Sequence, residues 1–105
     1  MYLLMKHFIV KSISDLITNS SSEVFCYING PETEIDEIYD VLDTIFGWNQ
    51  ECKITPVVDR LEDTSISVDL PHSMIRDENY LAYWEGAMRG LLSRFNNCKM
   101  TYEQF

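Results

Sequence analysis

With 105 residues and a hydrophobic fraction of 46%, the chain is sized for one domain, 1–105, and carries enough apolar material for a core. That excludes a disordered chain despite a net charge of -9. No apolar run reaches the roughly 20 residues of a membrane-spanning helix. Lys6 and His7 break the apolar opening, with no small-residue cleavage site after it, so neither a membrane nor an export signal is expected.

In chain order, residues 1–12 read as extended, with β-branched and aromatic content in His7-Phe8-Ile9-Val10. Thr18-Asn19-Ser20-Ser21-Ser22 is a polar, turn-prone loop. Residues 1–21 thus form an N-terminal strand or arm plus a serine loop, ahead of a core at 22–105. Glu23–Ile28 is the first strong strand, with Val24, Cys26 and Ile28 on one face and Phe25 and Tyr27 on the other. Pro31 and the acids after it open a helix over 31–46, with Ile35, Ile38, Leu42, Ile45 and Phe46 as its apolar stripe and Gly47 as its C-terminal cap.

A strand is expected over 53–58, at an edge or bulge because of Pro56, followed by a polar turn at 60–63. Ile66, Val68 and Leu70 alternate with Ser65, Ser67 and Asp69, which reads as a half-buried strand. A second helix is expected over 77–95, capped by Ser73 or Asp77, with Leu81, Trp84, Met88, Leu91 and Phe95 at helical spacing. Cys98–Phe105 closes as a strand, with Met100 and Tyr102 on one side. The order is α+β: a ferredoxin-like βαββαβ sandwich with both helices on one face of an antiparallel sheet, and an extra N-terminal strand or arm.

The charge is uneven. Between Lys11 and Lys53 stand nine acids and no base, which accounts for the whole net charge; the remainder holds eight of each. The first helix carries Glu34, Glu37, Asp40 and Asp43, with Asp36 on the same carboxylate side. An acidic face keeps a small protein in solution. It also repels phosphate backbones, so no direct nucleic-acid contact is expected, and it attracts a basic protein surface. Glu34, Glu37, Asp40 and Asp43 are therefore the candidate partner-binding residues.

Other features are weaker. Gly86 and Gly90 lie four apart on the second helix. The plain reading is a close backbone contact inside the monomer; the alternative is an oligomer contact, giving a homodimer. The loop Thr18, Asn19, Ser20, Ser21 and Ser22 could offer hydroxyls and N–H groups to a ligand, yet it lacks the glycines and lysine of a phosphate loop. Phe25 and Tyr27 occupy the position of a base-stacking platform but lack accompanying bases. Cys26, Cys52 and Cys98 have no metal-ligand spacing and read as isolated thiols of a reducing compartment, the cytoplasm. His72-Ser73 are chain neighbours, which does not make a dyad. No enzyme, cofactor or metal is expected.

Ser12-Ile13-Ser14-Asp15-Leu16-Ile17-Thr18-Asn19-Ser20-Ser21-Ser22-Glu23-Val24-Phe25 resembles the N-terminal signature of short uncharacterised proteins of bacteriophages and some bacterial hosts. The resemblance covers about 14 residues and brings no activity and no functional residues. It implies a phage setting, in a host cytoplasm or a virion. The expectation is a non-enzymatic acidic interaction module, a phage accessory protein or inhibitor of a host nucleic-acid-binding factor. The alternative is a virion component assembling through the N-terminal arm and the glycine face.

Overall fold

A computed structural model describes residues 8–10, 24–48 and 56–104, with the backbone alone at 8–10, 47 and 48. Its elements are β1 (Phe8–Val10), β2 (Val24–Asn29), α1 (Glu32–Trp48), β3 (Val57–Glu62), β4 (Ser65–Leu70), α2 (His72–Ile75), α3 (Glu78–Leu92) and β5 (Lys99–Gln104). The strands form one sheet in the order β1-β5-β2-β4-β3, each neighbouring pair antiparallel. This is an α+β arrangement whose inner order is compatible with the expected ferredoxin-like one. The expected N-terminal strand is present at 8–10, paired to the outer side of β5.

Strict alternation makes the sheet one-sided. In β2, Val24, Cys26 and Ile28 are fully buried while Phe25 and Tyr27 are only half-buried. Across the register, Cys26 faces Val68 and Tyr102, and Ile28 faces Ile66 and Met100. This face is covered by both long helices: Ile35, Ile38 and Leu42 of α1 and Leu81, Trp84 and Met88 of α3 join the same buried cluster. The two helices run antiparallel. Glu34, near the start of α1, meets Asn97 beyond the end of α3, while Phe46, near the end of α1, packs on Trp84 with ring centroids 5.8 Å apart.

Three boundaries differ from the sequence reading. The strand expected over 53–58 lies at Val57–Glu62, its chain reversal tightened to Asp63-Thr64; Lys53, Ile54 and Thr55 are outside the described residues. The register shifts at Arg60–Glu62, a bulge that bends this edge strand. The helix expected over 77–95 is α3, which starts at its expected cap Asp77 and ends at Leu92, and the residues ahead of it add an unexpected turn of helix, α2. α2 buries Met74 and Ile75, and the Asp77 carboxylate accepts from the N–H groups of Asn79 and Tyr80 at 3.0 and 3.3 Å. α1 runs on through Gly47 to Trp48, so Gly47 is not its cap.

Gly30 explains how β2 turns into α1. Its N–H donates to the Thr64 carbonyl at 3.1 Å, tying the strand end to the β3–β4 turn. A Cβ there would collide with Cys98 Sγ and lie 3.1 Å from the Cys98 Cα, so only glycine fits beside the chain entering β5. Among the described residues, no helix is long and apolar enough to cross a membrane.

Candidate functional site

α1 is amphipathic because its apolar residues return every three or four positions. Burying Ile35, Ile38 and Leu42 against the sheet turns Glu37 and Asp40 straight outward, with Asp36 and Asp43 on one flank and Glu34 on the other. Glu37, Asp40 and Asp43 are exposed, and among the described residues no hydrogen bond or ion pair engages them.

Two acids of the helix are engaged from elsewhere in the chain, one by a cation and one by neutral donors. Arg60 of β3 forms an ion pair with Asp36, and the same guanidinium donates to the Asp63 carbonyl at 3.2 Å, bracing the hairpin turn. Glu34 accepts from Asn97 Nδ2 at 3.1 Å and from Cys98 Sγ at 3.7 Å. The carboxylate side of α1 is thus not wholly uncompensated, as the charge count led one to expect. Glu34 is tied to the α3–β5 connection, and the open ridge reduces to Glu37, Asp40 and Asp43.

Between α1 and α3 lies a feature the sequence reading missed. An apolar groove of about 550 Å³ is walled by Val41, Ile45 and Phe46 on one side and Tyr83, Trp84 and Leu91 on the other. Ile45, expected within the buried stripe, is 50% exposed, Val41 37% and Tyr83 69%. The available signal was Val41 and Tyr83 themselves, apolar residues standing just outside the ideal stripe of each helix. Gly90 lines this groove; Gly86 and Gly90 are both exposed. A Cβ at either would meet nothing within 4 Å. The close intramolecular contact that the glycine spacing led one to expect is not found among the described residues.

On the sheet face away from the helices, the rings of β2 have acidic and hydroxyl neighbours. Phe25 lies between Asp69 and Glu103 in the register, and Tyr27 between Ser67 and Thr101. The two rings pack at 6.2 Å. Burial raises the Tyr27 phenol pKa, and the nearby charges of Glu103 and Asp69 add to it against a lowering hydrogen bond from Ser67. Acids set directly beside stacked rings repel a phosphate backbone.

The two described thiols, Cys26 and Cys98, both have raised pKa values. Cys26 is fully enclosed, and burial, then the Glu85 charge, push its pKa up. Burial and the adjacent Glu34 raise Cys98 to about 11. Beneath α3, Glu85 takes a forked contact from Arg89 at 3.0 Å through both Nε and Nη2. Tyr102 is raised by burial, then by Cys26 and Glu85. Its hydroxyl and Trp84 Nε1 interact electrostatically but make no hydrogen bond of ordinary geometry. His72 and Ser73 are both exposed on α2. Among the described residues, no group of three or more His, Cys, Asp or Glu is placed to hold a metal ion. Cys52 and the loop Thr18, Asn19, Ser20, Ser21 and Ser22 lie outside the described residues. Compared with family models, curated proteins and solved structures, the chain matches none.

Proposed function

We propose that this protein is a non-enzymatic, acidic protein-interaction module on a ferredoxin-like βαββαβ scaffold, whose α1 ridge meets a basic protein surface. The inner strand order β5-β2-β4-β3 with both long helices on one face supports the scaffold. One observation carries the function: Glu37, Asp40 and Asp43 stand exposed, without a partner among the described residues, in a stretch of nine acids and no base. Three unscreened carboxylates on a rigid helix raise the encounter rate with a cationic partner and fix its orientation.

The resemblance of Ser12–Phe25 sets this module in a phage context. There it acts in the host cytoplasm as an accessory protein or as an inhibitor, presenting carboxylates where a host nucleic-acid-binding factor expects phosphates. The test is affinity purification from host lysate in low and high salt, with the triple variant Glu37→Lys, Asp40→Lys, Asp43→Lys as control. A basic partner held at low salt, lost at high salt and lost by the variant is expected. Recovery indifferent to both salt and charge reversal would end the electrostatic reading.

A second reading is favoured by the bare glycine face. With nothing within 4 Å of a Cβ at Gly86 or Gly90, another backbone can approach α3 closely. This suits a virion component that self-associates there and through its N-terminal arm. It predicts concentration-dependent oligomers in light scattering and the protein's presence in purified particles.

A further inference from the structure

The groove between α1 and α3 lies where the two helices share the core over the sheet. Phe46 against Trp84 closes one stretch of the floor. Above it, Val41, Ile45 and Tyr83 present apolar surface to solvent on both rims. Leaving such surface wet is unfavourable at roughly 25 cal/mol per Å², and contiguous exposed apolar surface on a small domain marks an interaction site.

The charges around the groove select its occupant. Glu37 precedes Val41 by one helical turn, so an exposed carboxylate stands on the α1 rim directly beside the exposed apolar residues. Glu34 lies a further turn fraction back on the same flank. Arg94 is the one base among the described lining residues. A second copy of this chain would bring another net charge of -9 and its own carboxylate rim against the first, which costs association free energy. The polar content is also thin for a small polar metabolite, which needs several converging donors and acceptors.

The geometry points to a basic amphipathic helix of a partner protein as the occupant. Apolar side chains at i, i+3 or i+4 and i+7 enter between Val41, Ile45, Tyr83 and Trp84, and Lys or Arg on its flank reach Glu37. This deepens the interaction reading above and rests on it: the ridge supplies long-range attraction, and the groove supplies short-range apolar anchoring. It names the partner's contact element as a helix rather than a flat basic patch.

The test uses the full chain and a displayed library of 14-residue peptides in which Leu, Ile and Phe occur at helical spacing with Lys or Arg on the flank. A library of the same compositions with scrambled spacing, and one with the bases replaced by Glu, serve as controls. Enrichment of the helically spaced basic peptides alone is expected, and fluorescence anisotropy with an enriched peptide gives the affinity. Ala87→Arg, at an exposed groove position, should weaken that peptide about tenfold or more. Asp43→Lys, on the far flank of α1, should lower affinity only through its salt-dependent part. Circular dichroism confirms that both variants fold. Equal enrichment of scrambled peptides, or affinity unmoved by Ala87→Arg, overturns the groove proposal. If Asp43→Lys still weakens binding in that case, the ridge reading survives alone. Sedimentation showing a dimer abolished by Ala87→Arg would also overturn it, by assigning the groove to a second copy.

Discussion

Single residues show how closely this chain couples its charges to its thiols. Cys98 donates to Glu34, and burial together with that carboxylate raises its pKa from the ordinary 9.0 to about 11. The thiolate is the reactive form. Cys98 is therefore expected to alkylate more slowly at pH 8.5 in the folded protein than in urea. Glu34→Gln should speed folded-state modification roughly three- to tenfold, since each pKa unit changes the thiolate fraction tenfold. Peptide mass spectrometry after timed iodoacetamide treatment resolves Cys98 from the other cysteines; an unchanged rate would show that the Glu34 contact does not govern the thiol. The sign for stability follows from the same shift. The unfolded chain releases this proton near 9.0 and the folded one near 11, so the folded form holds more protons in that window. Stability is intact below about pH 9 and falls as pH rises toward 11. None of this was legible in the sequence, where Glu34 and Cys98 are 64 positions apart and Glu34 reads as one more outward acid.

Among the elements, α3 carries a cost with no return visible among the described residues. Gly86 and Gly90 sit in its interior, exposed, where an added Cβ meets nothing within 4 Å. Glycine in a helix interior is less favourable than alanine by roughly 1 kcal/mol. Gly86→Ala and Gly90→Ala are each expected to stabilise the fold by about 0.5–1 kcal/mol, measured as a raised denaturation midpoint with an unchanged slope. A loss of stability would mean that the helix is packed against something at these positions. A gain in stability accompanied by loss of self-association would favour the assembly reading. The helical periods themselves were readable: three- and four-residue spacing placed α1 and α3 to within a few residues, because a one-sided core imposes that repeat. The turn α2 was not readable. Asp77 was legible as a cap for α3, whereas the turn at His72–Ile75 goes with the burial of Met74 and Ile75, which no local signal announces. β3 was misplaced for a related reason. Arg60 to Asp63 look like a turn, and pairing with β4 makes Asp59, Arg60 and Glu62 part of an edge strand whose charged side chains discourage further pairing.

For the molecule as a whole, the net charge of -9 is carried by one stretch of the chain, between Lys11 and Lys53. Such a chain repels itself when folded, and salt relieves that repulsion because the screening length falls from about 30 Å at 0.01 M to about 3 Å at 1 M. The thermal midpoint is expected to rise by a few degrees between 10 mM and 500 mM NaCl, read by circular dichroism. The triple lysine variant of Glu37, Asp40 and Asp43 should flatten that dependence, because it removes the unpaired carboxylates while leaving the Asp36–Arg60 pair in place. An unchanged salt slope in the variant would mean that the destabilising charge lies elsewhere. Composition, periodicity and the one-sided distribution of acids were enough to determine an α+β chain with a buried sheet face, two amphipathic helices and an anionic surface. Those properties are local, set by side-chain chemistry and by repeats of two and 3.6 residues. Only the tertiary structure decided which acids remain open, that Arg60 pairs with Asp36 while Asn97 ties down Glu34, and that α1 and α3 leave an apolar groove between them. Such outcomes depend on which distant segments the sheet brings together, and no local repeat encodes that distance.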